Sequence, residues 1–223
     1  MIKVFSLLVF FSAFGTGVTA QVAELPLKEW GTADQTPFVM YISGDGGFNT
    51  FSTNLCTAIS KAGYSIAAMN AKSYFWNKKT PAQTTAAISD YLEKKLSGYP
   101  NRRLVLLGYS FGADVMPFIV NRLKESLKER LVGVVLVSPS TSTDFQIHWS
   151  DMFGGNTKRS MDVVAEINKM TVPKTTTFFG SEENDFPVSG IHLPNYRNQI
   201  LPGGHRFDGQ TDKLAQLIVK EFK

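Results

Sequence analysis

Five short apolar runs, each rich in β-branched or aromatic residues, recur along the chain at 38–42, 64–69, 104–107, 131–137 and 175–179. Stretches with helical spacing of apolar residues follow them, at 51–62, 81–96, 111–127, 162–170 and 212–222. A strand covered on both faces reads as a continuous apolar run rather than as an alternation. Strands that alternate with helices need crossover connections, so the pattern predicts the α/β class, with a mostly parallel central sheet and helices on both faces. Thr80 before Pro81 supports one helix start, a capping residue followed by proline in the first turn. A single domain without a large cap domain is expected over residues 21–223. One stretch fits no element: 139–160 is polar and carries Gly154 and Gly155, and loops of that length are usually functional or disordered.

In an open parallel sheet the chemistry gathers beyond the carboxyl ends of the strands. The segments there are polar or glycine-rich, and one of them is Gly108-Tyr109-Ser110-Phe111-Gly112. This G-x-S-x-G pentapeptide is weak evidence alone, but a buried strand runs into it and a helix leaves it. That is the setting of a nucleophile elbow, in which the flanking glycines permit a sharp turn that lifts the Ser110 hydroxyl off the sheet. The helix N-terminus beside it favours a developing alkoxide.

A serine needs a base, and the chain has three histidines. His148 precedes any acid that follows a strand, and His192 lies too near Glu183 and Asp185 for a strand to intervene. His205 follows the short apolar segment Gln199-Ile200-Leu201 and precedes the last helix, which makes it the best base. The orienting acid should follow the run at 175–179, where Glu183 and Asp185 compete and spacing does not separate them. Either gives the order serine, acid, histidine of the α/β-hydrolase arrangement. Oxyanion donors are expected from the backbone of Phe111 and from the loop carrying Gly44, Asp45, Gly46 and Gly47. That loop lacks the lysine of a P-loop and the glycine spacing of a dinucleotide site. No cofactor is implied.

Charge and cysteine content remove other classes. The net charge of +4 comes from lysines and arginines scattered along the chain, not from a basic block, which disfavours nucleic acid and leaves an anionic membrane surface as a partner. Cys56 is the single cysteine, so an internal disulfide or a cysteine-based metal site is excluded, and its place in a helical stretch suits a buried apolar residue. Lys3, the apolar run at 4–14 and Val18-Thr19-Ala20 read as a Sec-type signal peptide over residues 1–20. The run is shorter than the ~20 residues a membrane-spanning helix requires, so a periplasmic or secreted mature chain is expected.

With these residues in place, the chain resembles the AcvB/VirJ-like bacterial virulence proteins. The blocks that carry the resemblance are Ser43-Gly44-Asp45-Gly46-Gly47, Tyr74-Phe75-Trp76 followed by Thr80-Pro81, the Ser110 pentapeptide continuing through Ala113 and Asp114 to Pro117-Phe118, Phe145-Gln146-Ile147-His148, and Pro202-Gly203-Gly204-His205 with Phe207-Asp208-Gly209. The resemblance implies a periplasmic α/β-hydrolase, one branch of the family acting on the aminoacyl ester of lysyl-phosphatidylglycerol. Phe48 stands where the family usually has tryptophan, Arg206 where a second histidine is common, and the cysteines flanking the acid loop are absent. Tyr74 and Trp76 are candidates to line an acyl or lipid-facing pocket. Asp114 is a candidate to meet a substrate ammonium group, as are Asp45 and Asp144. The expected activity is serine hydrolysis of a carboxylic ester, with an aminoacyl-phospholipid as substrate. The competing readings are a broad small-ester esterase and a secreted binding module without turnover.

Overall fold

The computed structural model describes residues 25–148 and 158–223. The expected signal peptide and the Gly154-Gly155 pair lie outside the described residues. Seven strands form one sheet: β1 (Leu27–Trp30), β2 (Phe38–Ile42), β3 (Ile66–Met69), β4 (Leu104–Tyr109), β5 (Leu131–Val137), β8 (Thr175–Gly180) and β9 (Tyr196–Leu201). Their spatial order is β1-β3-β2-β4-β5-β8-β9, and every neighbouring pair is parallel except β1 with β3. The chain leaves β2 toward β3 on one side and returns to β4 on the other. The order therefore reverses between β2 and β4, and the crevice at that switch point is where such sheets bind ligands.

Side-chain alternation along the strands builds two cores. Phe38, Met40 and Ile42 of β2 face α3 (Pro81–Leu96), α4 (Phe111–Val120) and α6 (Val163–Ile167), through residues such as Ile88, Leu92, Val115 and Ile167. Val39 and Tyr41 face the other way, onto α1 (Thr50–Lys61) and α7 (Thr211–Ile218), where Leu55, Ile59, Leu214 and Ile218 are buried. Cys56 is buried in this second core. Helices thus cover both faces. The start of α3 closes a full capping box between Thr80 and Gln83, with Pro81 in the first turn.

The elements depart from the expected pattern where local chemistry overrides periodicity. The helix expected over 111–127 ends at Val120, and α5 (Glu125–Lys128) is a separate turn. Pro117 has no N–H to donate within the helix, and past it Arg122 and Leu123 donate to carbonyls three residues back, which tightens the chain out of the α-helix. Leu123 and Leu127 are nonetheless buried, so the apolar spacing runs on across the break. The expected 162–170 helix shrinks to α6, capped by the Asp162 side chain. The C-terminal helix ends as a 3-10 turn over Val219–Phe222. Strand β1 was not foreseen because it lies at the sheet edge, half exposed, and carries Lys28 and Glu29 rather than an apolar run. The stretch expected to hold no element is tied at its ends by a small antiparallel ribbon, β6 (Ser142–Thr143) with β7 (Met161–Asp162). A short helix, α2 (Ala71–Tyr74), follows β3, and 3-10 turns lie at Val188–Gly190 and Phe207–Gly209.

Candidate active site

Ser110 sits between β4 and α4 with φ 52° and ψ −123°. A non-glycine residue in that region costs of order 1–3 kcal/mol and survives only where the surroundings dictate it. Here the Ser110 N–H donates to the Val137 carbonyl at 2.8 Å, and the Ser110 carbonyl accepts from Ala113 and Asp114 at 2.7 and 3.0 Å. Glycine is required on both sides. A Cβ at Gly112 would stand 2.1 Å from the Ile42 carbonyl oxygen, and one at Gly108 would stand 2.5 Å from the Gly112 oxygen. The elbow is therefore pressed against the end of β2. The loop that follows β2 lies over it, with Gly44 so close that an added Cβ would be 3.3 Å from Ser110 Cβ.

Two further loops complete the cluster. The chain after β8 brings Glu183, and the chain after β9 brings His205. Backbone bonds from Ser181 to the Leu201 carbonyl (2.7 Å) and from Glu182 to the Gly203 carbonyl (3.1 Å) fasten the two together. His205 Nε2 lies 2.9 Å from Ser110 Oγ, and Nδ1 lies 2.7 Å from Glu183 Oε1. The second carboxylate oxygen of Glu183 accepts from the Gly180 N–H at 2.7 Å and from the Ser138 hydroxyl at 2.8 Å. Burial would raise the Glu183 pKa, but the bonds from His205, Gly180 and Ser138 outweigh it and hold the carboxyl below its ordinary value. The ring of Tyr109 lies 5.4 Å from that of His205, and its hydroxyl donates to the His205 carbonyl at 3.2 Å. Burial drives the Tyr109 pKa up, which keeps that donor protonated.

Of the two competing carboxylates, Glu183 reaches the imidazole. Asp185 is exposed, on the rim of a cleft of about 300 Å³ that is also lined by Ser138, Pro139, Thr141, Phe179 and His205. His148 lies 2.7 Å from Asp144, so both are engaged with each other outside the Ser110 cluster, and His192 is exposed. Phe111 opens α4, so its N–H has no acceptor within the helix. Gly44 and Gly47 close a turn, the Gly47 N–H donating to the Gly44 carbonyl at 2.9 Å, with Asp45 and Gly46 at its tip.

Two expected substrate contacts are corrected by burial. Tyr74 is 6% exposed and packs edge-on against Phe75 in the core, because α2 turns it inward. Asp114 is 7% exposed and bonded through both oxygens to Ser140, which turns it away from a substrate ammonium group. Trp76, by contrast, is 43% exposed. Sequence reasoning missed Ser138 and Ser140. Their only signal was position, in the loop directly after a central strand. Among the described residues no cluster of histidine, cysteine and carboxylate side chains is arranged to hold a metal ion, and no helix is long and apolar enough to cross a membrane.

Solved structures share this architecture. A lipase-esterase related protein from Clostridium acetobutylicum superposes with a TM-score of 0.63 at 14% identity, covering 89% of this chain and 99% of that one. The monoacylglycerol lipase of Paleococcus ferrophilus gives 0.60 at 13% identity, over 89% and 99% of the two chains. The thioesterase domain of the curacin biosynthetic pathway gives 0.57 at 14% identity, over 86% and 94%. At such identities the likeness establishes the fold, which is that of the α/β-hydrolases. A comparison with curated protein sequences gives no match. The sequence model of the bacterial virulence protein (VirJ) family matches residues 36–223, and the chain belongs to that family.

Proposed function

We propose that the protein is an exported serine hydrolase that cleaves carboxylic esters. The observation that carries this reading is the unbroken chain from Ser110 Oγ through His205 Nε2 and Nδ1 to Glu183 Oε1, at 2.9 and 2.7 Å. Ser110 attacks the acyl carbon while His205 takes the hydroxyl proton. Glu183 holds the imidazole in the tautomer whose Nε2 can accept and stabilises the imidazolium that forms. The Phe111 N–H and the turn at Asp45 and Gly46 donate to the tetrahedral oxyanion, at the N-terminus of α4 where negative charge is favoured. His205 then protonates the departing alcohol, and a water activated by the same imidazole releases the acid from Ser110.

The substrate within this reading is an aminoacyl ester of a phospholipid, lysyl-phosphatidylglycerol being the type. Glu182, Glu183 and Asp185 gather around the cleft beside His205 in a chain whose net charge is +4. A cationic acyl group meets carboxylates there, while the overall positive charge suits an anionic bilayer. The resemblance to the AcvB/VirJ-like proteins implies the same substrate class.

The test of the reaction is labelling of the purified protein by a fluorophosphonate. Wild type should react and Ser110→Ala should not; an unreactive wild type would favour a binding module. The substrate is tested by comparing short-chain lysyl and neutral acyl esters of phosphatidylglycerol. Faster cleavage of the lysyl ester, persisting at salt concentrations that abolish vesicle binding, is expected because a pocket carboxylate is screened less than a surface field. Equal rates would leave a broad esterase.

A further inference from the structure

Asp114 lies in the first turn of α4, where an exposed carboxylate would already serve the helix dipole. Its side chain is instead buried and turned toward the loop after β5. Oδ1 accepts the Ser140 N–H at 2.6 Å, Oδ2 lies 2.7 Å from Ser140 Oγ, and that hydroxyl is 3.2 Å from the Ser142 carbonyl. A hydroxyl has one proton. When Asp114 is protonated it donates to Ser140 Oγ, whose own proton passes to the Ser142 carbonyl, and every group in the chain is satisfied. When Asp114 is ionised, its Oδ2 and the Ser142 carbonyl compete for that single proton.

The clamped loop begins at Ser138, which has φ 51° and is 3% exposed. Its N–H donates to the Phe178 carbonyl at 2.8 Å and its hydroxyl to Glu183 Oε2 at 2.8 Å. The sheet holds this strained residue on its N-terminal side. On the C-terminal side the nearest fastening is Ser140, gripped by Asp114, followed by the Thr141 carbonyl, which accepts from the Val163 N–H at 3.0 Å. We propose that Asp114 is a positioning residue which, by clamping Ser140, keeps Ser138 in the conformation that presents its hydroxyl to Glu183 and so aligns the acid arm of the site. Helix α4 then carries the nucleophile at its tip and steers the acid from its first turn. The proposal rests on reading Ser110, His205 and Glu183 as a hydrolytic triad.

Burial pushes the Asp114 carboxyl up to about 7, against the two bonds from Ser140 and the attraction of His205, with Asp45 adding to the rise. His205, before α7, and Asp45, after β2, are the titratable groups that act on it; Arg122 and Glu166, just past α4 and on α6, pair with each other. Below about pH 7 the clamp is therefore supplied by the protonated acid, and asparagine, donating from Nδ2 and accepting at Oδ1, should replace it.

The experiment compares Asp114→Ala, Asp114→Asn, Ser138→Ala and the Asp114→Ala/Ser138→Ala double variant with wild type. The readouts are kcat and KM on a p-nitrophenyl ester and the downfield proton resonance of His205 Nδ1–H. Asp114→Ala should lower kcat about 100-fold with little change in KM, the size expected for a misplaced catalytic group. Asp114→Asn should return kcat to within about threefold of wild type, and the double variant should be no worse than the poorer single one. The resonance should broaden in Asp114→Ala and stay sharp in Asp114→Asn. A folded Asp114→Ala protein with wild-type kcat, or single losses that add in full in the double variant, would overturn the proposal. Should Asp114→Ala not fold, Ser140→Ala takes its place with the same expectations in smaller measure. If wild type neither turns over ester nor reacts with fluorophosphonate, the hydrolase reading falls, and the resonance decides the positioning role alone: still sharp in Asp114→Ala, it sinks the proposal too.

Discussion

The elbow at Ser110 and the pair formed by Glu183 and His205 reach the same point by opposite routes. The elbow occupies five consecutive residues between a fully buried strand and a helix whose residues are nearly all buried. Its conformation follows from close approach: Gly112 lies against β2 and Gly108 against the first turn of α4. Glu183 and His205 come from two loops beyond the carboxyl ends of β8 and β9, 22 residues apart in sequence. The His205 side chain is 48% exposed, and hydrogen bonds rather than packing hold the pair. The geometry at Ser110 is thus a local property of the sequence. The geometry of Glu183 and His205 is a property of the register of β8 against β9, which pairs Gly180 with Leu201.

The largest effect separates chemistry from architecture on the elbow side. Ser110→Ala should lower ester turnover by about 10⁶, the scale on which loss of a triad nucleophile acts, with a melting temperature close to wild type or above it. His205→Ala should approach the same loss, whereas His148→Ala and His192→Ala should remain near wild type. Steady-state kinetics alongside thermal melts decide the matter. A His192→Ala protein as inactive as His205→Ala at unchanged melting temperature would dissolve the contrast drawn here.

On the loop side the sharpest test is the unequal pair. Glu183→Gln should reduce kcat by roughly 10⁴, because the imidazole loses both its tautomer and the partner of its cation. Asp185→Asn, on the open rim of the cleft, should change the rate of a neutral ester less than about threefold. Comparable losses at the two positions would mean that the loop rearranges in solution and that the 2.7 Å contact of Glu183 with His205 is not the working geometry.

What could be read from the sequence divides along the same line. The strands at 38–42 and 131–137 and the helix at 81–96 coincide with β2, β5 and α3, since burial on both faces or a capping box writes an element into a few adjacent residues. Ser110 as the candidate nucleophile was legible for the same reason. The choice between Glu183 and Asp185 was not. Both follow β8 within five residues, and only the bonds from Gly180 and Ser138 show which carboxylate turns inward. Asp114, a candidate to meet a substrate ammonium group, is instead bonded to Ser140, 26 residues away, which nothing in the local sequence announces. Edge strands β1 and β9 were hidden or truncated, as half-exposed strands carry charged and polar side chains on the open face.

The elbow's dependence on close approach predicts a stability defect that the loops should not share. Gly112→Ala places a methyl group where the Ile42 carbonyl already stands, 2.1 Å away. Either β2 or α4 must shift, at a cost of about 3 kcal/mol, typical of overpacking in a tight core. Chemical denaturation should show the loss with an unchanged slope. A Gly98→Ala control, at a glycine with open space around it, should be neutral or slightly stabilising. If Gly112→Ala proved as stable as wild type, the pressure of α4 on β2 would not be what enforces the Ser110 conformation.

The smallest effect compares two carboxylates, the partly buried Glu183 on the loop side and the buried Asp114 on the elbow side, whose pKa values move in opposite directions. The Glu183 value is lowered, since the bonds from His205, Gly180 and Ser138 prevail over burial. Its ionised form is favoured by the fold, so it adds stability above the unfolded value of about 4.3 that is lost as pH falls through the folded value. For Asp114 burial prevails, and the carboxyl is pushed up to about 7. The fold favours its protonated form. The associated stability is fully present below the unfolded value of about 3.9 and is lost as pH rises toward 7. Asp114→Asn should therefore melt above wild type by a margin that grows from pH 4 to pH 7 and then levels. Glu183→Gln should melt below wild type at neutral pH, with a deficit that shrinks in acid. Melting curves of the three proteins over pH 4–8 make the comparison. An Asp114→Asn advantage that does not grow with pH would place an ionised Asp114 beneath the site. Ser140 Oγ would then have to give its proton to Asp114, and the Ser142 carbonyl would lose the donor that completes the clamp.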